Sequence, residues 1–231
     1  MSANPKELQA AAPTLIQTQV TAQVLDAHNI NVNYDTLPGN QPSSYGNYIA
    51  IWQNQAQIPF NQTPLATYPV KSNTQSGTLN IPGLQITNNS YIVAYCVGPA
   101  LTSGQAQGNA CSTVFIPQTG QGPNVNVLSS LSVANIGTTS LSINFILPNG
   151  ETPQSNGAWI GVWEGNVASY SLPPTYLNAV TVNTNSGVAF INNLNIGRGS
   201  TYTVALYTSG YSSNPGNLGL TAMAATLTFS V

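Results

Sequence analysis

A single histidine, His28, limits the chemistry open to this chain. Asp26 stands two residues before it, and in an extended segment the two side chains can share a face. A carboxylate beside an imidazole is part of a hydrolytic triad, but that chemistry also needs an activated nucleophile, and none stands at a matching place. Glu151 and Glu164 flank one loop and strand, with no other acid close in sequence, so no carboxylate pair is read there. One His and two Cys match no zinc pattern, and the scattered acids match no calcium loop. The glycines sit in turns without a following helix and lysine, so no phosphate loop is read. The sequence assigns no catalytic, metal-binding or cofactor-binding residue, and the expectation is a protein that is not an enzyme.

Two constellations remain. Cys96 and Cys111 fall on what should be neighbouring strands joined by a loop, so a cross-strand disulfide and two buried thiols are both open. Tyr207 and Ala225 stand at the matching places later in the chain, so the fold does not require a bridge. The second constellation is aromatic: Tyr48 and Trp52 bracket Ala50, and Trp159 and Trp163 bracket Gly161. In a strand these residues point opposite to Ile49/Ile51 and Ile160/Val162. Either the tryptophans are core anchors, or the aliphatic pairs point inward and the aromatics pave an outer face. In the second case Tyr48, Trp52, Trp159 and Trp163 would form a platform for a sugar ring or another subunit.

These two aromatic stretches, Gly46–Trp52 and Gly157–Trp163, are copies of one another. A single shift of 111 residues superposes them and, without a gap, also aligns Val20–Gln53 with Leu131–Glu164. Ile30, Val32 and Tyr34 fall on Leu141, Ile143 and Phe145. Asn33, Gly39, Pro42, Gly46, Ile49 and Trp52 meet identical residues. The chain therefore reads as a tandem duplication. The divisions are 1–17, an N-terminal arm; 18–117, the first repeat; 118–126, a Pro/Gly/Gln linker; and 127–231, the second repeat. In the arm, Asn4-Pro5-Lys6-Glu7 reads as a helix start, either a frayed end or a segment that docks on a neighbour.

Within each repeat the pattern is that of strands. Ile30, Val32 and Tyr34 alternate with Asn29, Asn31 and Asn33, as Leu141, Ile143 and Phe145 alternate with Ser140, Ser142 and Asn144. Tyr91, Val93 and Tyr95 make a further strand, answered by Tyr202, Val204 and Leu206. No helical periodicity appears beyond residue 12, so the expected class is all-β.

The stretch Thr138–Pro148 resembles the second strand of a fibronectin type III domain, with Phe145 where that family usually carries Trp. Leu194-Asn195-Ile196 followed by Tyr202–Leu206 resembles the same family's Leu-to-Tyr passage, as does Leu84–Tyr95. The resemblance covers most of both repeats through a few apolar positions that other immunoglobulin-like families share. It implies two antiparallel β-sandwiches in series, each with a tyrosine corner in which the Tyr hydroxyl bonds back to the chain.

Composition narrows the function. Of 231 residues only 3% are charged, against about 25% in an ordinary soluble domain. Lys6, Lys71 and Arg198 are too few and scattered to neutralise a run of phosphates, so no nucleic-acid partner is expected. Electrostatic membrane attachment fails for the same reason, and no window has the apolar length of a membrane span. Residues 1–20 contain no apolar stretch ahead of a cleavage site, so synthesis in the cytoplasm is expected, with later export left open. A net charge of -2 gives almost no repulsion between copies. The first functional expectation is a self-associating structural protein whose partner is itself, as in a filament, coat or crystalline inclusion. The alternative is a carbohydrate-binding or adhesive module that takes neutral glycans on the four aromatics.

Overall fold

The computed structural model describes residues 12–102 and 104–231. The helix start at Asn4–Glu7 lies outside the described residues. The first eight strands are β1 (Thr14–Gln17), β2 (Gln19–Val24), β3 (Ile30–Asp35), β4 (Tyr48–Gln53), β5 (Ala66–Pro69), β6 (Ser76–Ile81), β7 (Tyr91–Cys96) and β8 (Ala110–Ile116). The next eight are β9 (Val125–Leu128), β10 (Ser130–Ile136), β11 (Ser140–Ile146), β12 (Trp159–Glu164), β13 (Tyr176–Ala179), β14 (Ser186–Asn192), β15 (Thr201–Tyr207) and β16 (Met223–Ser230). They form four antiparallel sheets, ordered β2-β3-β6, β5-β4-β7-β8-β9, β10-β11-β14 and β1-β16-β15-β12-β13. The protein is all-β, and the one α-helix among the described residues, Pro153–Asn156, is a single turn.

That turn was not visible as periodicity because four residues cannot show one. It is bounded instead by Pro153 at its start and by Gly157 in the left-handed region at φ 73°. The counterpart in the first half, Pro42 to Gly46, makes the same bend, with Gly46 at φ 71° and the Tyr45 N–H donating to Gln41 O at 2.9 Å.

Alternation places the cores as expected. Ile30, Val32 and Tyr34 of β3 meet Ile49 and Ile51 of β4 and Val93 of β7 between the first pair of sheets. Leu141, Ile143 and Phe145 of β11 meet Ile160 and Val162 of β12 and Val204 of β15 between the second. On the solvent side of β3, Asn31 accepts from Asn80 and Asn33 accepts from Thr78, so amide and hydroxyl pairs stand where many sheets carry charges. In both halves a tyrosine hydroxyl ties the passage into its strand. Tyr91 Oη accepts from Gln85 N at 2.8 Å. Tyr202 Oη accepts from Gly197 N at 2.9 Å and donates to Asn195 O at 3.1 Å.

The strand pairing crosses the boundary between the repeats twice. Thr14–Gln17, placed in an arm by the sequence, are β1, and β1 pairs with β16 of the second half. β9 begins inside the segment read as linker and pairs with β8 of the first half. Each of these strands runs on through one buried residue, Thr18 or Ser129, into a strand of the half to which it belongs in sequence. The Thr18 N–H donates to Ala224 O and the Ser129 N–H to Cys111 O, so the two crossings are made alike. Those bonds also make Ala224 the structural counterpart of Cys111. The sequence alignment had put Ala225 there, one position too far, because the loop ahead of β16 is lengthened by less than that alignment assumed.

Removing the Tyr202 hydroxyl would leave a backbone N–H and a backbone C=O without a partner at the corner. Tyr202→Phe is expected to lower unfolding stability by about 1–3 kcal/mol, measured as a shift of the urea midpoint at unchanged slope.

Candidate functional site

β4 and β12 are interior strands of their five-stranded sheets, each next to an edge strand, and both are buried on both faces. Their aliphatic pairs point into the sandwich cores. Their aromatics point the other way, yet Tyr48, Trp52, Trp159 and Trp163 retain at most 8% exposure. The exposed platform expected from sequence as the alternative is therefore not formed. Neither is the simple anchor arrangement, because the tryptophans lie outside the two sandwich cores in separate apolar clusters.

In the first half, Trp52 packs with Ile58, Phe60 and Ile92, and its Nε1 donates to Gln62 O at 3.1 Å. Tyr48 Oη donates to Asn109 Oδ1 at 2.9 Å, and the Asn109 amide donates onward to three carbonyls, of Val97, Gly98 and Pro99. In the second half, Trp159 lies flat on Tyr207 with ring centroids 3.8 Å apart and planes 2° from parallel. Its Nε1 donates to Ser209 O at 3.0 Å. Gly161 makes room for this stack: a Cβ there would sit 2.9 Å from Pro174 Cγ and 3.0 Å from Trp159 Cζ3.

Each aromatic cluster is closed by the other half. Leu37 of the first half is 1% exposed and packs with Trp159 and Trp163 of the second. Gly39, at φ 84°, presents its Cα side to the ring of Tyr170, which also stacks on Tyr45 with centroids 5.3 Å apart. In the reciprocal contact Gly150, at φ 93°, faces Phe60 and the carbonyl of Ile58. Gly39 and Gly150 are equivalent in the repeat, so the same turn serves as lid in both directions. Gln105 fixes one side of the joint. Its Nε2 donates to Gly150 O, its Oε1 accepts from Thr152 N and Asn156 Nδ2, and its backbone N–H donates to Asn156 Oδ1.

Beside Gly150 lies an acid that is buried, although the sequence marked no acid as buried. Glu151 is 2% exposed, and neither carboxyl oxygen has a hydrogen-bond partner. Burial holds its carboxyl well above the ordinary 4.5, which favours the protonated form. Its repeat counterpart is Asn40, also buried, whose amide donates to Asn47 Oδ1. Nothing in the spacing of Glu151 marks it, because the joint that buries it is made by loops distant in sequence.

The remaining candidates are placed as follows. Asp26 does not reach the His28 ring: its carboxylate accepts from the His28 backbone N–H at 2.7 Å and from the Asn29 amide, which holds its carboxyl below the ordinary value. His28 Nδ1 lies 2.8 Å from Leu84 O, tying a loop. Cys96 and Cys111 are both free and buried. They cannot approach as a disulfide because they occupy opposite faces of one sheet, Cys96 in the Trp52 cluster and Cys111 in the sandwich core. Burial pushes both thiols up. Glu164 is exposed at the end of β12. A slot of about 250 Å³ lies over β7, β8 and β9, lined by Ile58, Ile92, Phe115, Val125, Val127 and Pro148.

No known family model and no curated protein matches this chain.

Two outcomes are expected at the joint. Gly161→Ala forces a methyl against Pro174 and Trp159 and should cost about 1–3 kcal/mol, read by urea unfolding with tryptophan fluorescence. The second concerns pH. Below 4.5 Glu151 is neutral in folded and unfolded chains alike. As pH rises above 4.5 the unfolded chain releases this proton while the folded chain keeps it, so stability falls, by at most about 1.4 kcal/mol per pH unit, until the raised folded value is passed. Glu151→Gln should be more stable than the parent at pH 7, and the difference between the two proteins should shrink as pH falls toward 4.5. A difference independent of pH would show that Glu151 is ionised in the folded protein.

Proposed function

We propose that this protein is a non-enzymatic structural subunit that associates with copies of itself. The observation that carries the reading is the chemistry of the sheet edges. The four sheets have eight edge strands: β1, β2, β5, β6, β9, β10, β13 and β14. None of them contains Lys, Arg, Asp or Glu. The only charged strand residues among the described residues, Asp35 and Glu164, end the interior strands β3 and β12. Open edges present unpaired N–H and C=O groups, and charged side chains are the usual guard against pairing with another chain. An unguarded edge on every sheet is a liability in a dilute monomer and an asset in a subunit.

The halves themselves we read as immunoglobulin-like sandwiches of fibronectin type III type. The two tyrosine corners support this, since each hydroxyl bonds to backbone a few residues upstream of its strand. The alternative of a module binding neutral glycans has lost its support in the geometry, because the four aromatics on which it rested are covered.

Association between neutral surfaces should be insensitive to screening. The assembled fraction, followed by sedimentation and electron microscopy, should hardly change as sodium chloride rises from 0.1 M to 1 M, over which the Debye length falls from about 10 Å to about 3 Å. Sulfate should raise it and mild urea should lower it. A strictly monodisperse monomer at all concentrations would overturn the reading.

A further inference from the structure

β1 and β9 are equivalent strands with unequal tethers. β9 is held at both ends, through residues 117–124 to β8 and through Ser129 to β10. β1 connects to the rest of the described fold only through Thr18, which leads into β2. Among the described residues, β1 thus turns on the single residue Thr18, whereas β9 is bounded by chain on both sides.

Little besides main chain holds β1 in place. It pairs with β16 over Thr14↔Thr228, Leu15↔Leu227, Ile16↔Thr226 and Gln17↔Ala225. The Gln17 amide donates to Ser129 O at 2.7 Å. Leu15 and Ile16 remain 36% and 39% exposed, so apolar burial adds modestly. β16 is independently fixed on its other edge by β15 and would stay ordered as an acceptor if β1 left. Neither β1 nor β16 carries a charge that would repel a second copy.

From these observations we propose that β1 is an exchangeable donor strand: the β1 of one copy adds to the β16 edge of another and links the first half of one molecule to the second half of the next. This rests on the self-association reading above and gives it a mechanism. The fold already uses the same device internally, since β9 completes the sheet of the half to which it does not belong in sequence. A ladder of backbone bonds is the same whichever copy supplies the strand, so exchange changes connectivity without needing a new interface. The home strand competes at an effective concentration on the order of millimolar. Exchange is accordingly favoured at high protein concentration, or after mild urea has opened the β1 ladder.

The test uses cysteines at a directly opposed pair, Thr14 and Thr228, on the full chain. Chains carrying Thr14→Cys alone and Thr228→Cys alone are mixed at high concentration, opened with mild urea, returned to buffer and oxidised. Exchange predicts a disulfide-linked heterodimer in the mixture that neither chain gives by itself; the native thiols are buried and contribute little. The doubly substituted chain, oxidised while dilute, locks β1 at home, and its assembled fraction should drop at least tenfold and recover with reductant. If the locked chain assembles as well as the reduced one and the mixture gives no heterodimer, exchange is overturned while self-association stands. If the parent chain never assembles and the mixture gives no heterodimer, both readings fall. A heterodimer without larger assemblies retains exchange as a dimer contact and overturns the higher-order subunit.

Discussion

Two interior strands that are apolar on both faces impose the main constraint on this molecule. A single β-sandwich covers one face of each sheet, which accounts for Ile49, Ile51, Ile160 and Val162. The other faces carry Tyr48 and Trp52, or Trp159 and Trp163, and segments of the same half cover them in part, through Ile58 and Phe60 in the first and Leu218 and Leu220 in the second. The fold completes the cover by borrowing: Leu37 and the Gly39 turn close the second half's cluster, and the Gly150 turn closes the first half's. Left-handed glycines at both turns let the backbone lie directly against an aromatic ring. The joint is consequently part of the core, and the halves are tied by packing as well as by the chain.

The crossing strands follow from the same arrangement. With the two five-stranded sheets drawn against each other, β8 and β16 approach at the middle, and Thr18 and Ser129 are buried where the chain passes between sheets. Side chains finish what main chain leaves open. Asn126 and Asn124 donate to Val20 O and Ala22 O along the free edge of β2, and Ser112 Oγ accepts from Val20 N. In a chain with so few ions, amides and hydroxyls supply both the surface and the seams. Such groups donate and accept at once, so they can satisfy a backbone edge from the side without pairing charge for charge.

That economy has a cost at the centre. Glu151, Asn40, Tyr170 and Tyr207 all bury polar atoms that lack a partner in the folded chain. Three are neutral groups, and burial favours the neutral, protonated form of the fourth. A permanent charge could not be accommodated there at similar cost. The scarcity of charge in the composition and the polar but uncharged interior are thus two sides of one design, in which the joint tolerates dipoles and excludes ions.

Much of this was legible in the amino-acid order, for a physical reason. A period of two records which side of a strand faces oil, so Ile30, Val32 and Tyr34 and their counterparts placed both sandwich cores, and the 111-residue echo placed the second copy on the first. The tyrosine corners were implied by the resemblance to fibronectin type III domains, and each hydroxyl bonds only a few residues upstream. Alternation says nothing about what covers the opposite face, so the fate of Tyr48, Trp52, Trp159 and Trp163 depended on turns far away in sequence. The same holds for β1, whose four residues pair with a strand more than two hundred positions later, and for Cys96 and Cys111, which one bulge in β8 sets on opposite faces. Glu151 was silent for the same cause. Burial of a loop residue is decided by long-range contact between surfaces, and only the folded chain brings those surfaces together.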